Sequence, residues 1–338
     1  MLQDLLDQWP QHVNPLLEEA EAAMKRNLKT LMLQGPQDAL TNTSIAQPAI
    51  LTHSTAVLRI LQREADFDVA SEVHSVLGHS LGQFTALVAA EALSFHDAID
   101  LVVHPISNPS YLANIWFSVL ASPRTSQHFR GNAMTKAIAG SDKGAMAALF
   151  PVDPAVANDI CHSVHESTGL VCSVANYNSS KQVTVISGHF AAVEAAVAAA
   201  KSRKVRRAVL LDVSAPFHCA LMQPAADALA AHLNTITFRP PIVPVVCNVS
   251  AVDMPGTDAD AMRAALTAQV VQPVRWSESV DLCIHRTAPN DHTTFLELGY
   301  GGVLTGLIQQ HAPTAATCTS MGTADDVRKW IAARELEA

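Results

Sequence analysis

Gly78-His79-Ser80-Leu81-Gly82 lies directly after a short β-type run at residues 73–77 and opens a helical pattern that continues to residue 92. Glycines at both ends of such a segment permit a tight strand-to-helix turn, which exposes the serine hydroxyl at the amino end of the helix. The backbone N–H of Leu81 can then donate a hydrogen bond to an oxyanion that forms beside it. A chance glycine-rich turn is the alternative, but the strand–turn–helix context favours Ser80 as a nucleophile.

The chain on the carboxyl side of this turn predicts a second, smaller folding unit. Residues 144–214 alternate as strand, helix, two strands joined by a polar turn, an alanine-rich helix and a final strand. The order βαββαβ is that of a ferredoxin-like unit. We therefore predict an α/β protein in which residues 1–143 and 215–338 form a hydrolase-like body with a parallel sheet, and residues 144–214 form an inserted ferredoxin-like subdomain.

Hydrophobic spacing predicts the main elements of the large body. Helices are expected over residues 2–24, with breaks near Pro10 and Pro15, and over residues 45–63. Three short apolar runs predict the strands of the parallel sheet, at residues 73–77, 243–248 and 294–298.

The composition is that of a chain with a large buried core. Apolar residues make up 49% of the 338 residues and charged residues 16%, below the roughly 25% of an average soluble protein. The net charge of −9 counts against a general nucleic-acid binder, which carries a strong basic excess. No stretch approaches the ~18 uninterrupted apolar residues of a membrane-spanning helix, so no membrane span is expected.

The six cysteines form no Cys-x-x-Cys pair, which excludes zinc-ribbon and dithiol redox sites, and no metal site is expected. Their scattered positions and mostly apolar flanks predict reduced thiols. The first residues, Met-Leu-Gln-Asp-Leu-Leu-Asp, are acidic and amphipathic. They match neither a signal peptide nor an arginine-rich transit peptide.

A serine nucleophile needs a base, and fifteen histidines compete for that role. His218 stands out because it ends the segment Ser-Ala-Pro-Phe-His, directly after the last predicted strand of the small unit. A loop at the junction of two folding units places an imidazole at the rim of a cleft, where binding sites usually lie. A surface or core histidine is the alternative interpretation.

Several segments, taken in this order, resemble the malonyl-CoA:acyl carrier protein transacylases, a family that includes the acyltransferase domains of fatty-acid and polyketide synthases. The matching segments are LQGP at residues 33–36, QPAI at 47–50, GHSLG at 78–82, ALVAA at 86–90, NYNS at 176–179, QVTVISG at 182–188, SAPFH at 214–218, QVVQPVRW at 269–276 and ELGYGGVLTGL at 297–307. Individually several of these segments are weak signals, but their order along the chain is highly specific.

The resemblance implies a role for each matching residue. Ser80 is the expected nucleophile and His218 its general base, with the imidazole oriented by the backbone carbonyl of Gln269 rather than by a carboxylate. Leu81 supplies the backbone oxyanion donor. Arg130, in the segment His-Phe-Arg-Gly, matches the arginine that holds the malonyl carboxylate, because a guanidinium fork binds a carboxylate through two hydrogen bonds.

Four further residues are expected in the substrate pocket. Phe217 resembles the bulky residue that narrows the pocket towards malonyl over branched acyl groups. His79, Gln83 and Asn176 lie in matching segments. Gln83 stands where the family has glutamate, which removes a charge near the turn but keeps a hydrogen-bonding amide.

The implied reaction is a two-step acyl transfer from malonyl-CoA to the phosphopantetheine thiol of acyl carrier protein, without any other cofactor. The carrier proteins are acidic, so docking needs a local basic surface, and we expect it at Lys201, Arg203, Lys204, Arg206 and Arg207. Ordinary cation enrichment at a helix carboxyl end is the alternative. The resemblance further implies a monomer without nucleic-acid partners, located in the mitochondrion or otherwise in the cytoplasm.

Two departures from the family pattern give further expectations. The family's first strand and following turn, which supplies the second oxyanion donor, have no match before residue 2, and an incorrect start codon is the expected cause. Residues 103–127 match nothing in the family, and three prolines within them forbid one continuous helix. We interpret them as a translated, unspliced intron; a surface loop is the alternative.

Two other functions remain open from the sequence. A catalytically impaired product of a faulty gene structure would bind acyl carrier protein without transferring an acyl group. An α/β-hydrolase esterase shares the G-x-S-x-G turn, but it predicts an acidic third member of the catalytic set and needs neither Arg130 nor the inserted subdomain.

Overall fold

The computed structural model describes residues 2–36, 43–103, 144–180, 183–211, 215–286 and 292–337. These residues form a mixed α/β protein, which confirms the predicted class. Of the segment interpreted as an intron, only Val103 is described, as the last residue of a helix. The rest of that segment, and Arg130, lie outside the described residues.

The amino-terminal half of the body is helical. Its helices are α1 (Gln3–Gln8), α2 (Pro10–Met24), α3 (Leu28–Gln34), α4 (Thr43–Glu64), α5 (Val69–Glu72), α6 (Gly82–Ala89) and α7 (Phe95–Val103). The predicted break near Pro10 is confirmed, since Pro10 is the first residue of α2. The predicted break near Pro15 is wrong, because α2 continues through it. Packing of α2 on α4 and α7, through buried residues such as Val13 and Leu17, outweighs the one lost backbone hydrogen bond.

The small unit has the predicted order of elements. They are β1 (Gly144–Phe150), α8 (Pro154–Thr168), β2 (Cys172–Tyr177), β3 (Thr184–His189), α9 (Phe190–Ser202) and β4 (Arg207–Leu210). The strands form an antiparallel sheet in the order β2-β3-β1-β4. Alternate residues of β1 face opposite sides: Ala147 packs with the two helices, whereas Met146 packs with Phe217 on the other face. The second face of this sheet thus borders the segment that carries His218.

The carboxyl-terminal half of the body contains the helices α10 (Gln223–Leu233), α11 (Ala259–Val271), α12 (Trp276–Arg286), α13 (Val303–His311) and α14 (Ala324–Glu337). Strands β5 (Thr293–Leu298) and β6 (Ala316–Met321) pair in parallel, which confirms the predicted strand at residues 294–298. The other two predicted strands of the body, residues 73–77 and 243–248, meet only in one parallel bridge at Val76.

The residues around position 245 explain why the pairing of residues 73–77 with residues 243–248 is limited to one bridge. Val76 donates its N–H to the Pro244 carbonyl and accepts from the Val246 N–H, both at 2.9 Å. Pro244 has no N–H with which to extend the ladder in one direction. In the other direction the Asn248 N–H donates to the Gln83 side chain at 2.8 Å. Among the described residues, no helix has both the length and the apolar character needed to cross a membrane.

Candidate active site

The turn at residues 78–82 brings the Ser80 hydroxyl out of the body at the start of α6. Ser80 has a φ of 54°, a left-handed conformation that costs free energy in a non-glycine residue and marks functional turns. Gly78 is required at its position, since an added Cβ would lie 2.0 Å from the carbonyl oxygen of Gly82. The backbone N–H of Leu81, at the amino end of α6, has no hydrogen bond to any described residue. It is available to an oxyanion at this end of the helix.

Three residues from distant parts of the chain form a hydrogen-bonded row. The Ser80 Oγ lies 2.9 Å from His218 Nε2, and His218 Nδ1 lies 2.7 Å from the backbone oxygen of Gln269, in α11. A carbonyl can only accept, so Nδ1 carries the proton and Nε2 is left to accept the Ser80 hydroxyl proton. The Gln269 side chain also donates to the Ser80 carbonyl at 3.0 Å, which ties both ends of the row to one residue.

His218 is only 5% exposed, and burial lowers its pKa to about 4. The hydrogen bond to the Gln269 carbonyl opposes this effect, and the nearby His79 adds to it. The imidazole is therefore neutral at physiological pH and able to take a proton.

We expect the acid limb of the pH profile of kcat/KM to lie near pH 4 rather than near 6.5. The base works only when it is neutral, and a lowered pKa keeps it neutral until the pH falls to that value. The measurement is the rate of acyl transfer from malonyl-CoA between pH 3.5 and 8, with circular dichroism at each pH to exclude unfolding. A limb near 6.5 in folded protein would contradict the assignment.

Side-chain hydrogen bonds of Asn248 and Gln83 hold the turn at residues 78–82 in place. Asn248 Oδ1 accepts from the Ser80 N–H at 2.7 Å, and its Nδ2 donates to the Gly78 carbonyl at 2.6 Å. Gln83 is 1% exposed and bonds the backbone of Asn248 and Val246 with its amide. Gln83, which was expected in the pocket, is not among the residues that line the cavity beside Ser80, because its side chain is buried against Asn248 and Val246. Asn248 was missed because no spacing in the sequence connects it to Ser80.

Replacing Asn248 with alanine is expected to lower kcat by roughly 10- to 100-fold with little change in KM. The change leaves the Ser80 N–H and the Gly78 carbonyl without their hydrogen-bond partner, so the turn loses its fixed geometry. Steady-state kinetics and the melting temperature measure the effect. Asn234→Ala, at an exposed asparagine after α10, is the matched control and should leave kcat unchanged. Equal effects of the two changes would refute the positioning role.

A cavity of about 1030 Å³ opens beside the Ser80–His218 pair. Its lining includes three of the residues expected in the pocket, His79, Asn176 and Phe217. His79 Nε2 lies 2.8 Å from the Oδ1 of Asn178, a buried residue of the NYNS segment that also lines the cavity. Burial lowers the pKa of His79 against the opposing effect of this hydrogen bond. The small unit therefore supplies one wall of the opening.

The predicted basic surface is at the end of α9 and the start of β4, and none of its residues lines this opening. All five of its cationic residues are exposed: Lys201, Arg203, Lys204, Arg206 and Arg207. The Arg207 guanidinium lies over the Phe150 ring at 5.3 Å. In the described part of the chain, no three His, Cys, Asp or Glu side chains are grouped so as to hold a metal ion.

Comparison with known proteins identifies close relatives. No protein-family model matches the chain. The malonyl CoA-acyl carrier protein transacylase of Escherichia coli strain K12 is 38% identical over 314 residues, which are 93% of this chain and 89% of that protein. The protein of the same name from Bacillus subtilis strain 168 is 36% identical over 298 residues, or 87% of this chain and 81% of that one.

Solved structures agree with the sequence relatives. The malonyl CoA-acyl carrier protein transacylase of Coxiella burnetii has a TM-score of 0.81 at 33% identity, covering 98% of this chain and 92% of that one. A malonyl-transacylase solved in complex with its type II polyketide acyl-carrier protein has a TM-score of 0.81 at 32% identity, with coverages of 98% and 94%. The chain therefore belongs to the malonyl CoA-acyl carrier protein transacylase family.

Proposed function

We propose that this chain transfers a malonyl group from malonyl-CoA to the phosphopantetheine thiol of acyl carrier protein, for fatty-acid synthesis. The observation that carries the proposal is the row from Ser80 Oγ through His218 to the Gln269 carbonyl, set beside a large cavity in a member of this family. The row supplies a nucleophile and a neutral base without a carboxylate, whereas an α/β-hydrolase esterase calls for an acidic third member.

In the first half-reaction, Ser80 Oγ attacks the thioester carbon of malonyl-CoA while His218 Nε2 takes the hydroxyl proton. The resulting imidazolium is stabilised by the hydrogen bond from Nδ1 to the Gln269 carbonyl. The backbone N–H of Leu81 donates to the oxyanion of the tetrahedral intermediate. The C–S bond then breaks, the coenzyme A sulfur receives the proton from His218, and a malonyl ester remains on Ser80.

The second half-reaction runs the same steps with a different thiol. His218 takes the proton of the phosphopantetheine thiol, and the sulfur attacks the ester carbonyl on Ser80. Collapse of the intermediate breaks the C–O bond, and His218 returns the proton to Ser80 Oγ. Arg130 is proposed to hold the malonyl carboxylate, and Phe217 to restrict the width of the acyl group.

The exposed cations after α9 are proposed as the docking surface for the acidic carrier protein. None of the five has an ion pair with a described residue, and only Arg207 has a ring contact, with Phe150. Unpaired, exposed cations attract an acidic partner and accelerate its association.

The double change Lys201→Glu and Arg203→Glu is expected to raise the KM for acyl carrier protein on the order of tenfold. It should leave the formation of the malonyl ester unchanged, because that step involves no carrier protein. Initial rates at two salt concentrations measure the effect, which should shrink as salt screens the charges. The matched control is Lys25→Glu with Arg26→Glu, at the exposed end of α2. An equal rise in KM for both double variants would refute docking at α9.

Incubation with malonyl-CoA labelled in the malonyl group tests the proposed function. Transfer of the label to the carrier protein is the expected result. Release of the label as free malonate, with none on the carrier protein, would instead establish an esterase. A chain that acquires no label at all would be the impaired product considered from the sequence.

We propose that the small unit, with its βαββαβ order and β2-β3-β1-β4 sheet, is a ferredoxin-like subdomain inserted into a hydrolase-like body. A monomeric enzyme located in the mitochondrion remains the proposal that the family resemblance supports. An elution volume in gel filtration and the location of the tagged protein in cells would test these two points.

A further inference from the structure

The turn that follows β2 lies where the small unit meets the body. Just before the turn, β2 is fixed to the body by backbone hydrogen bonds with Val274, one of them from the Tyr177 N–H at 2.9 Å. The turn itself, Asn178-Ser179-Ser180, extends past this pairing and contacts two side chains of the body, His79 and His311. Its position therefore depends on side-chain contacts as well as on the backbone pairing.

His311, the last residue of α13, makes the contact with the end of the turn. Its Nδ1 lies 3.2 Å from the backbone nitrogen of Ser180, and its Nε2 lies 2.8 Å from Asp281 Oδ1, in α12. A backbone N–H can only donate and a carboxylate can only accept, so Nδ1 is the acceptor and Nε2 carries the proton. Both contacts require the same neutral tautomer, and Asp281 fixes it.

The surroundings of His311 differ from those of an ordinary histidine at a helix carboxyl end, which only complements the helix dipole. Its side chain is 4% exposed, and its two ring nitrogens have partners in different folding units. A buried imidazole bonded at both nitrogens keeps a single orientation. That orientation fixes the Ser180 N–H relative to α12 and α13.

Hydrogen bonds inside the turn extend this constraint from Ser180 to Asn178. The N–H groups of Asn178 and Ser179 both donate to the Val183 carbonyl, at 3.1 and 3.2 Å. The Val183 N–H donates to Ser179 Oγ at 2.9 Å. Because the turn is closed by three hydrogen bonds, it moves as one piece, and a shift at Ser180 is also a shift at Asn178.

Asn178 connects the turn to the residue beside the nucleophile. It is 3% exposed, and its Oδ1 accepts from His79 Nε2 at 2.8 Å. The His79 ring also packs against Trp276, with 5.6 Å between the ring centroids, and Trp276 is the first residue of α12, the helix that carries Asp281. One set of contacts thus joins α12 and α13 to the turn and to the cavity wall beside Ser80.

We propose that His311 is a positioning residue for malonyl transfer, which holds the turn so that Asn178 and His79 form a fixed wall of the substrate opening. This role rests on the proposed function, because it belongs to the same site. His311 itself is not among the residues that line the cavity, so it acts through Asn178. Loss of its bond to Ser180 lets the wall shift and weakens the binding of malonyl-CoA. The catalytic row contains no residue of the turn and keeps its geometry.

Two substitutions separate the two hydrogen bonds of His311. An asparagine places its amide oxygen near the position of Nδ1, so His311→Asn keeps an acceptor for the Ser180 N–H and loses the bond to Asp281. A glutamine places its amide near the position of Nε2, so His311→Gln keeps a donor for Asp281 and leaves the Ser180 N–H without its acceptor.

His311→Gln is expected to raise the KM for malonyl-CoA about fivefold and to change kcat by less than about twofold. His311→Asn should stay within about twofold of the unchanged chain in both constants. Steady-state rates of malonyl transfer measure the effect. The matched control is His232→Gln, at a histidine in the last turn of α10 that also pairs with an aspartate, and it should change neither constant. Equal KM values for the two His311 variants overturn the proposal.

A double-mutant cycle tests whether His311 acts through Asn178. Asn178→Ala removes the acceptor of the His79 ring, so adding His311→Gln to it should raise the KM no further. A purely structural role of His311 would multiply the two single effects, and that outcome overturns the proposal.

Hydrogen exchange followed by mass spectrometry reports on the turn without any need for activity. Exchange at residues 176–180 is expected to be about fivefold or more faster in His311→Gln and unchanged in His311→Asn. Equal exchange in the two variants overturns the proposal. An unchanged chain that forms no malonyl ester would instead overturn the proposed function, and the exchange result would then decide alone whether His311 holds the turn.

Discussion

Replacing Ser80 with alanine is expected to abolish malonyl transfer, with a loss in kcat of roughly 10⁴-fold or more. The change removes the atom that forms the ester and leaves only the oxyanion donor and binding contacts. The fold should be unaffected, because among the described residues the hydroxyl bonds only to His218. The rate of label transfer from malonyl-CoA to the carrier protein measures the effect.

Ser202→Ala, at an exposed serine that ends α9, is the control for this experiment and should retain full activity. The circular dichroism spectrum and melting temperature of Ser80→Ala should match those of the unchanged chain. Substantial transfer by a folded Ser80→Ala variant would place the nucleophile elsewhere.

His218→Ala is expected to lower kcat/KM by roughly 10² to 10⁴-fold, the usual contribution of a positioned general base. The acid limb near pH 4 should disappear with it, because the titrating group is gone. Added imidazole should restore part of the rate, since the deletion leaves space beside Ser80 Oγ. Rates across pH, with and without imidazole, measure all three effects.

His162→Ala, at an exposed histidine of α8, is the matched control and should change neither the rate nor the pH profile. A His218→Ala variant that keeps its acid limb would show that another group titrates. That result would remove His218 from the role of base.

The central pair of the site could be predicted from the sequence because each residue stands in a local pattern. The Gly-x-Ser-x-Gly turn identifies Ser80, and the Pro-Phe-His loop after a strand identifies His218. The partner of His218 is a backbone carbonyl, and any residue type can supply one. Gln269 was therefore expected only from the family resemblance, and the structure places its oxygen 2.7 Å from Nδ1.

Other features depend on tertiary contacts that a local pattern does not contain. Asn248 reaches the turn only because residues 244–248 cross beside it. Gln83 follows the nucleophile closely in sequence, yet its amide bonds the backbone of Asn248 and Val246, which come from a distant part of the chain. The strand at residues 73–77 has the apolar character of a sheet strand, but its partner contains Pro244, which ends the ladder.

The helical half of the body also differs from what its local sequence predicts. Pro15 predicts a helix break because it lacks an N–H, but α2 continues through it. Its buried face on α4 and α7 holds the backbone in place. Propensity is a local quantity, whereas the packing that overrides it is assembled from residues far apart in the chain.

The most direct test of the account is the mass of the intact chain after brief exposure to malonyl-CoA, followed by proteolysis and location of the modified residue. The account predicts one added malonyl group, located on Ser80, which disappears when acyl carrier protein is added. A malonyl group on any other residue, or transfer to the carrier protein without any modified intermediate, would contradict it.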